Sequence, residues 1–311
     1  MQIILDTRSS DLDALAASTR AWDLDFNLLR RGGFVGQLRQ LGMPDMLLTH
    51  ARFGCKLHQS GTTPPGFRTF VVPGQGCSAF WWLGYAVDDC SILRFGTDAE
   101  LQAVSDDGFS VCTISLRSDY LENLAQTLGV PGPPTQRGVT RLAAEQMAVL
   151  RQLVTSAVFD ADAPLRSAAA RRLAERLVTY CAAGEAAAPP RLRSRDQAIG
   201  RVVEFLDQHA DLLPDLGDLC RVAHVSERTL QYAFRERYGM SPNRFVRCWR
   251  LNAARRLLRG SEYRNKTIAS VAAQCGFHDP SLFARHYRLL HHELPSETIA
   301  STANRGLSWT T

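Results

Sequence analysis

The sequence predicts an α+β chain of two domains: an N-terminal β-barrel with flanking helices, then a C-terminal all-helical domain. Three observations carry that prediction. A length of 311 residues suits about two domains. Residues 46–116 alternate short apolar runs with turn residues, and from residue 118 the apolar spacing becomes helical. The charge is also divided. Residues 1–190 hold 17 Lys and Arg against 19 Asp and Glu, whereas residues 191–311 hold 19 against 12. A basic C-terminal third beside a mildly acidic remainder points to a polyanion as that third's partner.

In the β-rich segment, Gly61, Pro64 to Gly66, Pro73, Gly74, Gly84, Asp88, Asp89, Gly96 and Asp106 to Gly108 are the turn residues. Between them, Phe67–Val72, Ala79–Leu83, Ser91–Phe95, Leu101–Val104 and Phe109–Leu116 are predicted strands, evenly spaced as in a barrel or sandwich. Three helices should follow. Asp119–Leu128 is stopped by Gly129 and Pro131, and Thr140–Phe159 takes Thr140 as its N-cap. Pro164–Tyr180 starts on a first-turn proline and repeats Leu165, Ala169, Leu173, Leu177 and Tyr180 at helical spacing. The small residues, prolines and arginines of 183–195 break all periodicity and read as a linker. The expected organisation is therefore a domain over 1–182, a linker over 183–195, a helical domain over 196–300 and a tail over 301–311.

The basic third contains an internal repeat. Leu216, Leu219, Cys220, Ala223 and Val225 align with Ile268, Val271, Ala272, Cys275 and Phe277; after one extra residue, Leu230 and Phe234 align with Phe283 and Tyr287. Each unit reads as a short helix, a tight turn, an N-cap (Ser226, Asp279) and a second helix. Gly276 supplies the flexible backbone that the second turn needs. This is the pattern of a helix-turn-helix, whose second helix can lie in a DNA major groove. One such unit is also what a plain helical hairpin looks like; two in one basic segment are far more specific. Between them Ser241–Leu258 predicts a long helix, capped by Ser241 with Pro242 in its first turn, which would hold the units at a fixed separation. Its stripe of Phe245, Trp249, Ala253 and Leu257 is expected in the core.

At these residues the chain resembles the DNA-binding domain of AraC/XylS-family transcription regulators. The resemblance covers roughly 100 residues and rests on Val225–Leu258 and Ile268–Arg288. Gly239 to Pro242, Arg250 and Leu251, Ala254 and Arg255, Cys275 to Phe277, and Asp279 to Ser281 fall in the family's order and spacing. Two turn positions depart from it: His224 and Glu293 stand where glycine is common.

Outward-facing residues of the two second helices are Arg228, Gln231 and Tyr232, and Ser281, Leu282 and Arg285; the resemblance places the family's base-contacting positions on these six. Arginine suits guanine O6 and N7, glutamine suits adenine, and tyrosine can meet a thymine methyl or a phosphate. Ser226, Arg235 and Arg288 are the expected phosphate contacts. The resemblance further implies a cytoplasmic activator that binds double-stranded promoter or operator DNA, forms a homodimer and contacts RNA polymerase. It also implies a cupin-like sensor barrel before the DNA-binding domain.

A small barrel can enclose an effector. Phe70, Phe80, Trp81, Trp82 and Tyr85 could line its pocket, although Trp81 and Trp82 cannot both face inward from one strand. An inward tryptophan beside Asp88 or Glu100 would favour a cationic ligand. The helices from Asp119 to Tyr180 are the expected dimer surface, with Leu173, Leu177 and Tyr180 packing on the partner rather than on the barrel.

Other classes fare worse. A hydrophobic fraction of 45% and a charged fraction of 22% fit a globular chain, not a disordered one. No stretch reaches the roughly 18 apolar residues of a membrane span, and the first residues lack the basic start of a signal peptide. A cupin metalloenzyme needs clustered histidines, yet only His50 and His58 lie in this region; no catalytic, metal or cofactor site is expected. Eight cysteines without a CxxC pair read as buried reduced thiols. The remaining alternatives are a thiol or metal sensor using Cys55, Cys77, Cys90 and Cys112, and a DNA-binding protein without an effector.

Overall fold

The computed structural model describes residues 1–19, 21–30, 33–75, 80–82, 85–184, 186–187, 193–209, 212–260 and 266–306. The chain divides into two units. One comprises residues 1–26 and 34–191, the other residues 27–33 and 192–311.

The first unit is built on two antiparallel sheets. The larger has the order β1 (Gln2–Ser9), β3 (Gly36–Met43), β4 (Met46–Phe53), β11 (Phe109–Arg117), β6 (Phe67–Pro73), β9 (Ser91–Arg94), β12 (Gly138–Arg141), β13 (Ala186–Ala187). The smaller runs β2 (Asp23–Leu28), β5 (Leu57–Thr62), β10 (Glu100–Ser105), β7 (Phe80–Trp82), β8 (Tyr85–Val87). A short helix α1 (Leu12–Ser18) follows β1, and α2 (Ser118–Leu128), α3 (Ala144–Phe159) and α4 (Ala163–Ala183) follow the main strands.

Side-chain alternation sorts the larger sheet into two apolar faces. Ala51, Phe53, Val71, Leu93, Val111 and Thr113 face a cavity between the sheets. Their neighbours Leu48, Phe70, Val72, Ile92, Cys112 and Ile114 join Leu121, Leu150, Leu173 and Leu177 in the main core. Covered on both faces, these strands carry nearly unbroken apolar runs.

Several expectations need correction here. Strand structure begins at Gln2, not near residue 46, because β1 to β3 precede the turn-rich segment. Thr140 is no N-cap: it is fully buried in β12, paired with Ile92, and α3 starts at Ala144, where Gln146 Oε1 accepts the Ala143 N–H at 3.0 Å. Leu173 and Leu177 are completely buried within this unit, so they pack towards the sheet and present nothing to a partner. In the expected linker 183–195, Ala186 and Ala187 pair with Thr140 and Val139, and the next helix already begins at Ser194.

The second unit is helical: α5 (Ser194–Gln208), α6 (Leu216–Ala223), α7 (Glu227–Tyr238), α8 (Pro242–Arg259), α9 (Ile268–Gln274), α10 (Pro280–His291) and α11 (Pro295–Gly306). The last helix continues six residues past the expected end at 300, into the predicted tail. An aromatic column ties α7 to α8, with ring centroids 5.2 Å apart for Phe234 and Phe245 and 5.5 Å for Phe245 and Trp249. Ser241 caps α8 and Pro242 occupies its first turn, as the sequence predicts. An ion pair at 2.7 Å joins Asp196 of α5 to Arg237 of α7, both largely buried.

Residues 27–33 belong to this helical unit although they lie far from it in sequence. Asn252 of α8 holds them: its Oδ1 accepts the Leu28 N–H at 3.0 Å, and its Nδ2 donates to the Leu28 carbonyl at 3.0 Å. Arg256 Nη1 donates to Asn27 Oδ1 at 2.9 Å, and the Leu29 side chain is completely buried.

Candidate nucleic-acid interface

The two helix pairs of the second unit repeat one arrangement. In the first, α6 ends on His224 in a left-handed conformation (φ 54°), and Ser226 caps α7, its Oγ accepting the Thr229 N–H at 3.3 Å. In the second, Gly276 takes φ 80° after α9, and Asp279 caps α10 by accepting the N–H groups of Ser281 at 2.8 Å and Leu282 at 3.0 Å. A left-handed residue reverses the chain within a few bonds, and a side-chain cap satisfies the next helix's first donors. The second helix of each pair thus starts close against the first.

One face of each second helix is buried. Leu230, Ala233 and Phe234 of α7, and Phe283 and Tyr287 of α10, are at most 1% exposed. The opposite face carries the residues singled out from sequence. Arg228 and Tyr232 are exposed and Gln231 half-buried on α7; Ser281, Leu282 and Arg285 are exposed on α10. Tyr232 and Leu282 are 59% and 45% exposed, large apolar surface to leave in water on helices with full cores. Ser226, Arg235 and Arg288 are exposed as well.

Contacts already present constrain this face. Gln231 Nε2 donates to Glu227 Oε1 at 3.2 Å, one turn back. The guanidinium of Arg195, in the first turn of α5, lies 5.3 Å from the Tyr232 ring centroid, and its Nη2 meets Glu236 Oε1 at 3.0 Å. By sequence Arg195 falls in the expected linker. A legible signal existed: Asp196 stands just before the helical spacing of Ile199, Val202, Val203 and Leu206, as an acid does in a helix's first turn.

The departures from the family pattern are resolved locally. Glu293 Oε1 accepts from Arg255 Nε at 2.9 Å and from Thr298 Oγ1 at 2.7 Å, so its carboxylate matches a buried arginine. The left-handed position beside it is filled by His292 (φ 59°).

The first unit's cavity measures about 70 Å³ and is bounded by both sheets. Phe80 and Trp82 lie on its wall, with Trp22, Phe26, Phe53 and Phe109. Phe70 does not, because its neighbour Val71 faces the cavity and Phe70 falls on the opposite face of β6, in the main core. Trp81 likewise alternates away from the wall that Phe80 and Trp82 share. The side chain of Tyr85 lies outside the described residues. The described wall carries no charged side chain, which removes the basis for a cationic ligand. Asp88 instead binds Ser91 Oγ at 2.6 Å and Arg141 at 3.4 Å, and Glu100 is exposed at the start of its strand.

Six of the described cysteines have thiol pKa values above the ordinary one. Burial pushes the thiols of Cys55, Cys112 and Cys181 up to about 12 and that of Cys275 to about 11. Half-buried Cys90 and Cys220 are also raised, first by burial and then by nearby carboxylates. Thiolate is the reactive form, so none of these is activated. Cys77 lies outside the described residues. Among the described residues no three His, Cys, Asp or Glu side chains gather as metal ligands, and no helix is long and apolar enough to cross a membrane.

The second unit is therefore a double helix-turn-helix domain. Comparison with known proteins agrees: the helix-turn-helix domain family matches residues 219–301. The chain is 39% identical over 83 residues to the HTH-type transcriptional activator RhaR of Yersinia pseudotuberculosis, a match covering 27% of this chain and 28% of that protein. It is 31% identical over 100 residues to the XylDLEGF operon transcriptional activator 2 of Pseudomonas putida, covering 32% of this chain and 64% of the relative. Among solved structures, a probable AraC family transcriptional regulator from Rhodopseudomonas palustris is 30% identical, with a TM-score of 0.31, covering 34% of this chain and 96% of that one. Residues 219–301 carry a helix-turn-helix domain of the AraC type. The chain spans about a quarter of the length of the RhaR relatives it matches.

Proposed function

We propose that the protein is a cytoplasmic, sequence-specific transcription regulator that binds double-stranded DNA through α7 and α10. It acts as an activator through contact with RNA polymerase, works as a homodimer, and is controlled by a small molecule held in the N-terminal barrel. The observation that carries the reading is the repeat itself: two capped second helices in a basic segment, each buried on one face and bearing exposed arginine and other base-complementary residues on the other. The relatives named as activators support the direction of regulation. The cavity between the sheets supports the sensor role.

Arg228 and Arg285 read bases in this proposal, with Gln231, Tyr232, Ser281 and Leu282, while Ser226, Arg235 and Arg288 hold phosphates. A bidentate arginine–guanine pair contributes about 1–3 kcal/mol of discrimination, and a phosphate contact carries no sequence information. Arg228→Ala and Arg285→Ala are each expected to weaken operator binding about ten- to a hundredfold and to relax preference at one base pair. Arg235→Ala should weaken specific and non-specific binding alike. Competition over single-base operator variants is the measurement; unchanged base preferences in both arginine variants would refute the assignment.

A further inference from the structure

Two consecutive residues of α5 meet two consecutive residues of α7 with their charges exchanged. Asp196 pairs with Arg237 at 2.7 Å, both largely buried. Arg195 pairs with Glu236 at 3.0 Å nearer the surface, where the two side chains are 24% and 32% exposed. The buried pair already joins the helices, and a partly exposed ion pair adds little stability. Arg195 makes a second contact, however: its guanidinium carbon lies 5.3 Å from the centroid of the Tyr232 ring. One cation thus spans Tyr232 and Glu236, which stand one turn apart on the helix stripe that begins with Arg228.

Tyr232 is 59% exposed. A side chain left free at such a place samples several rotamers, and fixing it against a base costs entropy; a ring held in advance avoids part of that cost. Arginine's planar fork can stack on a ring and meet a carboxylate at once, whereas lysine's point charge cannot serve both in the same way. Glu236 continues the outward stripe, and an unmatched acid there would repel DNA phosphates; Arg195 neutralises it. Matched by that carboxylate, the guanidinium in turn keeps little net charge to attract a phosphate.

We propose that Arg195 is a positioning residue for DNA reading: it holds the Tyr232 ring in place for its base and neutralises Glu236, and does not itself contact a phosphate. The proposal rests on the reading of Tyr232 as a base-contacting residue.

The experiment uses the full chain and competition over single-base operator variants at several salt concentrations. Tyr232→Ala first locates the base pair that Tyr232 reads. Arg195→Lys keeps a charge beside Glu236 but gives up the planar stack. It is expected to relax preference at that same base pair by about two- to fivefold, the size of an exposed cation–π contact, with non-specific binding unchanged. Combined with Tyr232→Ala, it should relax that preference no further than Tyr232→Ala alone, because the two residues act as one unit. The paired variant Arg195→Met with Glu236→Gln removes the ion pair without changing net charge. It should relax the same base pair and leave the dependence of log K on log salt as it was. Both variants keep the Asp196–Arg237 pair, and each reports on the base pair independently of the other. Unchanged preference at the Tyr232 base pair in either variant would overturn the proposal. So would a loss of affinity shared by all sequences in the paired variant, with a salt slope shallower by about one, since that is the behaviour of a phosphate contact. If Tyr232→Ala itself leaves every base preference intact, the reading of Tyr232 as a base contact is what fails, and the proposal falls with it.

Discussion

At the residue scale, the two turns show how one backbone need is met at different cost. Both require a left-handed residue: Gly276 sits at φ 80°, whereas His224 holds φ 54° with a side chain attached. A non-glycine residue there costs roughly 1–2 kcal/mol, part of which glycine returns through its freer unfolded state. His224→Gly should therefore stabilise the helical unit by about 0.5–1 kcal/mol, while Gly276→Ala should destabilise it, since a Cβ would stand 2.5 Å from Leu213 Cδ2. Urea denaturation of both variants gives the comparison, and a loss of stability in His224→Gly would contradict it. His291 supplies a pH dependence. Burial first, then the Arg255 and Arg256 charges, lower its pKa to about 3; the Leu251 carbonyl bound to its Nε2 at 3.3 Å opposes the shift, and the Tyr287 ring packs at a tilt with its centroid 4.6 Å away. The folded state holds this imidazole neutral, while the unfolded state takes up a proton near the ordinary value of 6.5. Its contribution is fully present above pH 6.5 and is lost as pH falls from 6.5 towards 3, by up to about 1.4 kcal/mol per pH unit. In His291→Gln the stability loss between about pH 6.5 and 5 should shrink by that slope; an unchanged slope in acid titrations of stability would sink the assignment.

At the element scale, helix caps and apolar spacing made α7, α8 and α10 legible, because each carries its own start signal: Ser226, Ser241 with Pro242, and Asp279 with Pro280. Thr140 misled for the converse reason. A threonine before an apolar run is an N-cap in isolation, but here it is a strand residue whose pairing with β9 is set by residues fifty positions earlier. The segment 27–33 was illegible altogether. Among its contacts, Asn252 replaces a strand neighbour by bonding both the N–H and the carbonyl of Leu28, beside the Arg256 bond to Asn27 and the buried Leu29 side chain. Asn252→Ala leaves those two buried backbone groups unpaired, and each costs about 1–3 kcal/mol. The variant should lower the helical unit's stability by about 2–4 kcal/mol, and amide hydrogen exchange at Leu28 should accelerate strongly. Protection at Leu28 equal to that of the unsubstituted protein would show that α8 does not hold the segment through Asn252.

At the scale of the whole molecule, the charge division maps onto the two units, with the excess of arginine in the helical one. If each chain neutralises about six phosphates, log K for DNA should fall against log salt with a slope near −5. A slope shallower than about −2 in equilibrium titrations between 50 and 200 mM salt would contradict the proposed basic interface. Replacing Arg235 should reduce the slope by about one, whereas a base-reading arginine moves the preference as well.

By itself the sequence determined the two helix pairs of the helical unit and the long helix between them: their repeat, caps, turns and outward residues are all local signals, spaced within one or two helical turns, and local signals survive in a one-dimensional reading. The tertiary structure alone decided the barrel's interior. Strands covered on both faces carry apolar residues at every position, so composition cannot say that Phe80 and Trp82 face the cavity while Phe70 faces the helices. Likewise, nothing in the order of residues says that the Trp22 and Trp82 N–H groups are buried with no acceptor among the described residues, or that Leu173 and Leu177 are spent on the unit's own core. Those facts come from which strands pair and which face is left to which neighbour, and sheet register is fixed by contacts that are distant along the chain.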